Sequence, residues 1–467
     1  MTQQSISYNQ IDFVVKAPRF RIVFSYMDDK GVAFVREYLL RLLKLTPCKP
    51  EQIAQYFGFN QYETEIALSD LERNKWIIWQ DNGLISLSSE GLHLFQNSNK
   101  DTPKIPILKE FSGEYRMELL DNNFFQKKYS DSARQQAIEL DIEPKKLSES
   151  SETTRKTFQN RFKQLIEEEI IEVKNEMGEI EKDISLYKID AIESKGSFNY
   201  LRFTQAFELL PETVESKERH DLEILIHQDN IQQAITAKLE QFSRGDNLRE
   251  ILNSINEFRD DDTLKILFGG CLDFTEFLKA YQKYEQQNSF YFLGQVYHQE
   301  PMFKEINLIL DRLDRNQSKK FYWLAPSDIY WGKQRKIHDK IQNIIDKQKH
   351  GYEFRLYLPT SQERNIHETQ EWQNQFRGIS DEVIYGFCEG FLDGNTEVLF
   401  LEDKFAVVCY HARLESYPVT LPIGFMTTKV DEVKSIKKLV DVYLSSFHKI
   451  EGHDIKDYGL LHRMGKK

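Results

Sequence analysis

The stretch IIWQDNGLISL, residues 77–87, carries the clearest local signal in this chain. Two runs of β-prone residues flank Asn82-Gly83, a pair that suits a tight hairpin turn because both central positions require a positive φ. We therefore predict a two-stranded hairpin here. The segments on either side decide which fold the hairpin belongs to.

Three helices are predicted before the hairpin and one after it. Apolar residues recur at helical spacing from Val32 to Leu43, Pro50 can open a second helix, and Asn60 can cap a third. The segment LSSEGLHLF after the hairpin is typical of a further helix start. Three helices followed by a β-hairpin resemble the winged-helix fold, and we assign residues 31–97 to it.

A second copy is predicted further along the chain. The segment LSDLERNKWIIW, residues 68–79, aligns with FKQLIEEEIIEV, residues 162–173. Residues 131–150 are predicted to supply an earlier helix and a polar turn, and residues 172–189 a second, longer hairpin. This region, residues 118–190, also resembles a winged helix.

Length and composition limit the number of domains and the kinds of site that the chain can have. A chain of 467 residues is too long for one ordinary core, which predicts roughly two to four domains. The formal net charge of −12 argues against a general polyanion binder, so any nucleic-acid contact has to come from a local patch. The four cysteines show neither CxxC nor Cys/His ligand spacing, so we predict no disulfide framework, no metal site and no cofactor.

The N-terminus lacks a basic region followed by an apolar run, and no apolar run approaches the roughly 18 residues of a membrane span. We therefore expect a cytoplasmic protein without membrane contact.

The predicted third helix of the second copy is unusually basic for an acidic chain. A helical wheel of residues 152–167 separates an apolar stripe from a polar and cationic face. Cations can neutralise phosphates, and asparagine can read adenine in the major groove of duplex DNA. Solvation or protein contact is the open alternative. The predicted DNA contacts are Thr153, Arg155, Lys156, Thr157, Asn160, Arg161 and Lys163, with Lys174 and Lys182 beside the wing.

The equivalent face of the first copy is acidic. Glu63, Glu65 and Asp70 would meet phosphates with the same sign of charge, which disfavours DNA binding there. We predict a protein-docking or dimerisation module anchored by Tyr62, Ile66 and Trp79, with a purely structural role as the alternative.

The remainder divides into a helical middle region and an α/β domain. Residues 196–316 are predicted to be mostly helical. From residue 317 strands and helices alternate, in an order that resembles the phospholipase D-like fold; degenerate versions of that fold follow winged helices in TrmB-like regulators. We assign residues 317–450 to this domain, which leaves an N-terminal extension, 1–30, and a C-terminal tail, 451–467. The predicted class is multidomain α+β.

The resemblance invites a nuclease hypothesis that the residues resist. The catalytic motif of the phospholipase D family is His-x-Lys-x4-Asp. In TEVLFLED those positions hold Thr396, Val398 and Asp403, so only the aspartate is kept. HDKIQNIID has His338 and Lys340 but places its aspartate one position too far. We therefore predict no catalytic residue.

One stretch of the α/β region interleaves aromatic and cationic residues. WLAPSDIYWGKQRKIHDK includes Trp323, Trp331 and Lys333. Such a pattern is typical of a nucleic-acid or phosphate surface. A capped helix start after a core strand explains it almost as well.

The preferred hypothesis is a non-catalytic prokaryotic DNA-binding protein, a regulator or DNA sensor. It would contact double-stranded DNA through the second winged helix and bind a partner or ligand through the C-terminal domain. A protein partner or a homodimer is expected. The alternatives are a scaffold subunit in antiphage defence or genome maintenance and a divergent phospholipase D-like nuclease.

Overall fold

The computed structural model describes residues 6–464 apart from 97–101, 175–177, 211–215, 221–227, 244, 288, 315–317, 349–350, 362–364, 389–393 and 451–452. The described chain combines helices and sheets, which confirms the mixed α and β class at this coarse level. Contacts within the chain divide it into two units. Unit 1 comprises Met1–Ala17, Glu118–Pro144 and Phe198–Lys467, and unit 2 comprises Pro18–Met117 and Lys145–Ser197.

Helices and strands occur in groups along the chain. The helices are α1 Phe34–Leu45, α2 Pro50–Phe57, α3 Gln61–Arg73, α4 Ser89–His93, α5 Pro144–Ser148, α6 Ser150–Glu167, α7 Asp229–Phe242, α8 Leu248–Phe258, α9 Asp261–Leu267, α10 Phe274–Gln286, α11 Glu300–Asp311, α12 Lys336–Asp346, α13 Ile366–Gln375 and α14 Val430–Ser445. The strands are β1 Ile6–Gly31, β2 Ile77–Trp79, β3 Ile85–Leu87, β4 Lys104–Arg116, β5 Ser130–Asp131, β6 Ile138–Glu139, β7 Ile184–Leu209, β8 Ser216–His220, β9 Phe290–Leu293, β10 Lys319–Leu324, β11 Tyr352–Thr360, β12 Ile384–Cys388, β13 Thr396–Leu401, β14 Phe405–Ala412, β15 Leu421–Thr427, β16 Phe447–Ile450, β17 His453–Ile455 and β18 Asp457–Leu460.

The elements from α1 to α4 follow the order that the sequence predicts: three helices, a hairpin and a helix. Asn60 caps α3, because its side chain accepts a hydrogen bond of 2.9 Å from the backbone N–H of Glu63. Gly83 has a φ of 76° in the turn between β2 and β3, a conformation that glycine adopts without strain, whereas Asn82 does not have the positive φ that the sequence predicts for it. Side chains from the helices and the hairpin, among them Leu71 and Ile85, form one buried core.

The helix α6 lies on a sheet. Residues 19–31 of β1 pair antiparallel with β4. Phe158 and Phe162 of α6 pack on Phe24 of β1, with ring centroids 5.3 and 5.4 Å apart, and Phe158 also packs on Tyr115 of β4 at 5.3 Å. Such aromatic burial contributes strongly to a core. The sheet, rather than two preceding helices, therefore fixes the position of α6.

The helix predicted ahead of α6, within residues 131–150, was wrong over most of its length. This segment contains the short strands β5 and β6, and only α5 is helical before α6. Ile138 of β6 pairs in parallel with Phe13 of β1, a partner that the local sequence does not reveal. The predicted second hairpin is reduced to a bridge between Lys174 and Ile180, and residues 175–177 lie outside the described residues.

Three further expectations from the sequence differ from the structure, again because strands pair with partners that are distant in the chain. From Ile6 onward, the predicted N-terminal extension is the strand β1. The region 196–316 begins with the end of β7 and with β8 before its helices, and most of the predicted DLEILIHQ helix lies outside the described residues. The predicted tail supplies β18, which pairs antiparallel with β12. Strand partners distant in sequence decide each of these elements.

The large sheet of unit 1 has the order β18-β12-β11-β10-β13-β14-β15-β9. The neighbours β12, β11 and β10 run parallel, whereas β13, β14 and β15 alternate in direction. The carboxyl ends of β10, β11, β12 and β14 therefore meet the first residues of β13 and β15 at one edge, which we call the carboxyl edge. Ligands of open α/β sheets typically bind at such an edge.

Alternate residues of this sheet face two separate cores. Val398 and Tyr410 lie in the core that includes Ile251 of α8 and Val433 of α14. Leu399 and Cys409 lie in the other core, which includes Ile306 of α11 and Ile341 of α12. Because side chains alternate along a strand, residues 397, 399, 409 and 411 share the second face.

Truncation of Phe158 to alanine tests how α6 is held. The side chain is fully buried, so its loss leaves a cavity among aromatic rings. We expect the unfolding free energy to fall by about 3 to 5 kcal/mol in urea denaturation followed by circular dichroism. The exposed neighbour Gln159 is the control, and its alanine variant is expected to change stability by less than about 0.5 kcal/mol. Equal effects of the two changes would contradict this packing.

Candidate functional site

The predicted DNA contacts occupy the outer face of α6 and its margins. Arg155, Lys156, Asn160 and Lys163 are exposed, whereas Thr153, Thr157 and Arg161 are partly buried. The opposite face is buried through Thr154, Phe158, Phe162, Leu165 and Ile166. The wheel drawn from the sequence therefore separates the two faces as predicted.

Acidic neighbours moderate the charge of this face. Lys156 Nζ lies 2.6 Å from Glu152 Oε1, and this contact raises the pKa of Lys156. Both side chains are strongly exposed, so the pair is screened by solvent and is readily exchanged for another partner. Arg155 donates to the backbone oxygen of Ile189 at 3.2 Å, and Arg161 donates to Gln164 Oε1 at 3.0 Å. The two arginines are thus oriented by the protein.

The two cations predicted beside the wing are also exposed. Lys174 Nζ lies 3.9 Å from Glu172 Oε2, and Lys182 precedes β7. Neither residue is on α6. They share unit 2 with the outer face of that helix.

The residues predicted for docking lie around α3. An open groove of about 770 Å³, the α1–α3 groove, is lined by side chains of both helices, including Val35, Tyr62 and Ile66. Tyr62 and Ile66 are 71% and 52% exposed, large values for apolar side chains. Trp79 is also exposed, but it lies on β2 and does not line the groove. Arg36 pairs with Asp70 within the lining.

A smaller cavity lies at the carboxyl edge of the unit 1 sheet. This edge pocket encloses about 240 Å³. Ser327 and Asp328 follow β10, Pro359 belongs to the end of β11, and Trp372 stands on α13. The Ser327 Oγ is buried and has no hydrogen-bond partner within the described residues. A buried polar group without a partner carries a desolvation cost that a ligand could offset.

Next to the edge pocket, a histidine lies between two buried carboxylates. His411 Nδ1 is 2.8 Å from Asp328 Oδ2, and His411 Nε2 is 3.0 Å from Glu397 Oε2. All three side chains are almost completely buried. A protonated histidine donates from both ring nitrogens, which matches the carboxyl oxygens on the two sides of the His411 ring. We call these residues the acid–histidine cluster.

Hydrogen bonds and burial shift the pKa values of groups in the acid–histidine cluster. Burial by itself lowers the pKa of His411, whereas the hydrogen bonds to Asp328 and Glu397 raise it, and the net pKa lies well above its usual value. Burial also raises the pKa of the Cys409 thiol, to about 11, so the thiol is protonated. Opposite charges within hydrogen-bond distance make the buried arrangement tolerable.

Further donors complete the cluster. The indole N–H groups of Trp323 and Trp331 donate to Glu397 Oε1 at 2.7 and 2.9 Å. The hydroxyl of Thr420 donates to Asp328 Oδ2 at 2.8 Å, and Asn9 Nδ2 donates to the backbone oxygen of Thr420 at 2.9 Å. Each carboxylate thus has several donors, as buried charge requires.

The two tryptophans singled out in the sequence therefore face the interior, whereas Lys333 is partly buried. Trp323 and Trp331 are fully buried at the cluster. Lys333 lines the edge pocket and donates to Gln375 Oε1 at 2.8 Å. Burial lowers the pKa of Lys333 to about 8. A nucleic-acid surface built on the two tryptophans is excluded by their burial.

The phospholipase D-type motif positions do not converge. Thr396 is the first residue of β13, and Asp403 lies in the turn after this strand. The rise per residue of an extended chain separates them by roughly 20 Å. His338 and Lys340 lie two positions apart on α12, so they point to different sides of it, and Lys340 pairs with Glu300 at 2.7 Å. Neither string assembles a His/Lys/Asp group.

Sequence reasoning passed over the acid–histidine cluster. The spacing of cysteines and histidines along the chain can reveal ligands in loops, but it does not reveal ligands that paired strands bring together. The usable signal was Cys409-x-His411 in a strand, since residues two apart share a face. Glu397 pairs with Cys409 across the hairpin, and Asp328 enters from another strand end; neither could be placed without the sheet.

Comparison with known proteins does not assign the chain to a family. No protein-family model, curated protein or solved structure matches the chain. Among the described residues, no helix combines the length and apolar character that crossing a membrane would need.

Replacement of Lys333 by methionine tests the lowered pKa of this partly buried amine. The pKa of Lys333 is about 8 in the folded protein and about 10.5 ordinarily, so the unfolded chain binds more protons between these values. Stability of the parent relative to the variant is therefore expected to rise with pH across that window. Below pH 8 the variant is expected to be more stable, by at most about 3 kcal/mol.

Urea denaturation at several pH values measures this difference. Lys438→Met, at an exposed lysine of α14, is the control and is expected to differ from the parent by the same amount at every pH. If the unfolding free energy of Lys333→Met also differed from that of the parent by the same amount at every pH, the pKa of Lys333 would not be lowered in the folded protein.

Proposed function

We propose that this chain is a DNA-binding protein that contacts duplex DNA through the outer face of α6, while unit 1 binds a ligand at the edge pocket. The observation that carries the proposal is the exposed row Arg155, Lys156, Asn160 and Lys163 on one helix. An α-helix fits the major groove, where cations meet phosphates and asparagine can pair with adenine.

Two features of the chain support the proposal. The aromatic contacts of Phe158 and Phe162 hold α6 firmly, so its outer face is a rigid surface. The acidic excess of the whole chain lies mostly in unit 1, so α6 belongs to the less acidic unit. A local patch can therefore act without strong repulsion of DNA by its own unit.

The resemblances stated from the sequence enter as part of the proposal. We infer that residues 34–93 are a winged helix, supported by the element order and the shared core. We infer a degenerate phospholipase D-like domain from β10 to α14, supported by the parallel strands followed by the antiparallel ones. We infer no winged helix around α6, because the elements before it differ from those of that fold.

Charge reversal on α6 tests the DNA contact. Lys156→Glu/Lys163→Glu is expected to weaken binding of a mixed-sequence duplex at least about tenfold near 50 mM salt. The slope of log affinity against log salt is expected to decrease by roughly two, since two phosphate contacts are removed. Fluorescence anisotropy of a labelled duplex at several salt concentrations measures both quantities.

The matched control reverses two exposed lysines elsewhere. Lys434→Glu/Lys438→Glu makes the same change in net charge on α14 of unit 1. Binding is expected to change little in this variant. Equal weakening in both variants, or a parent chain that does not bind duplex DNA, would refute the proposal.

A second candidate role is dimerisation, favoured by the α1–α3 groove. The proposed occupant is a second copy of this chain. Tyr62 and Ile66 supply apolar anchors, and charges of both signs, including Arg73 and Glu65, line the same groove. A patch with both signs can pair with its own copy about a two-fold axis.

Sedimentation analysis tests the second candidate. The parent is expected to dimerise at about 10 µM, a concentration at which a micromolar interface is occupied, and Tyr62→Ser/Ile66→Ser is expected to be monomeric. Val430→Ser/Val442→Ser removes two exposed apolar side chains from α14 and is expected to leave the dimer intact. A parent that stays monomeric up to about 100 µM excludes a second copy as the occupant.

A further inference from the structure

We propose that Glu397, Cys409 and His411 form a binding site for a zinc ion inside unit 1. One ligand atom from each residue lies within 4.8 Å of the other two, and all three residues are buried. Thiolate, imidazole and carboxylate are the three protein ligand types that zinc prefers. This site is independent of the DNA contact proposed above.

The hairpin of β13 and β14 brings the three side chains together. Cys409 and His411 are two residues apart on β14, so both point to one face of the sheet. Glu397 of β13 is the direct cross-strand partner of Cys409 and shares that face. Rigid paired strands hold the donors at fixed positions, which favours a defined metal geometry.

The surrounding groups suit a metal-bound histidine. A ligating imidazole usually passes its other N–H to a carboxylate, and Asp328 occupies that place at 2.8 Å from His411 Nδ1. This contact leaves His411 Nε2 as the ligating atom. The indoles of Trp323 and Trp331 hold Glu397 Oε1, which leaves Oε2 for the metal.

Little movement is needed to admit the ion. His411 Nε2 and Glu397 Oε2 are 3.0 Å apart. Two such atoms in a tetrahedral zinc site, each about 2.1 Å from the metal, are roughly 3.4 Å apart. The His411–Glu397 pair therefore has to open by only about 0.4 Å to match this spacing.

Binding exchanges protons for the metal. The Cys409 thiol loses its proton to become a thiolate, and His411 loses the proton on Nε2, so two protons are released for each Zn²⁺ bound. Three protein ligands leave one coordination position of a tetrahedral ion for water or an exogenous group. The edge pocket is lined by Asp328 and Trp331, which contact His411 and Glu397 respectively.

Metal analysis of the full chain is the first test. The protein is purified without chelators, and zinc is measured by plasma mass spectrometry. About one zinc per chain is expected, retained after gel filtration. Chains that are stripped and then given Co²⁺ are expected to show the near-ultraviolet charge-transfer absorption of a cobalt–thiolate bond.

Variants locate the ion. Cys409→Ser and Glu397→Gln are expected to lower the zinc content at least about tenfold, as loss of a ligand does. Cys388→Ser is the matched control, because Cys388 is also a buried thiol beside a histidine, His448, at 3.4 Å. This variant is expected to keep its zinc and its cobalt–thiolate absorption.

The cobalt spectrum of the parent keeps the test decisive if a variant fails to fold. A folded parent that holds less than about a tenth of an equivalent of zinc, and that takes up neither Zn²⁺ nor Co²⁺, would overturn the proposal. Cobalt binding without thiolate absorption would overturn it too, as would equal loss of zinc in Cys388→Ser. In each case the cluster would be a metal-free ion network.

Discussion

The carboxyl edge of unit 1 depends on the ionic contact between His411 and two buried carboxylates. A charge inside a protein is tolerable only when its partners are held at hydrogen-bond distance, because water no longer solvates it. Asp328 follows β10, Glu397 lies on β13 and His411 lies on β14, so the contact requires these strands in their observed positions. Loss of one partner would leave an uncompensated charge, a change that costs about 3 to 5 kcal/mol in other proteins.

The same contact holds polar and charged side chains beside the edge pocket. Glu397 is held by Trp331, Trp331 lines the edge pocket, and Asp328 contributes to both the pocket and the cluster. A ligand that entered the pocket would therefore meet side chains that are already fixed. Preorganised polar groups next to an apolar wall are the usual composition of a small-molecule site. The pocket and the cluster are thus best regarded as one structural assembly, whatever occupies it.

The buried stripe of α6 was predicted correctly, although the secondary structure of the segment before this helix was predicted wrongly. The spacing of Phe158 and Phe162 predicted the buried stripe, and both rings are buried. The segment before α6 was expected to be helical, yet β6 pairs there with Phe13, more than a hundred residues away. Helical periodicity is set by neighbouring residues, whereas a strand pair needs a partner that single-segment patterns do not identify.

The sequence by itself determined the elements whose signals are local. Gly83 marked the hairpin turn and Asn60 the start of α3, because turn and capping preferences involve only adjacent residues. Only the tertiary structure decided that Asp328, Glu397 and His411 would meet. Their separation along the chain contains no hint of contact, since sheet order and register bring them together. The helix faces could therefore be predicted from the sequence, and the buried cluster could not.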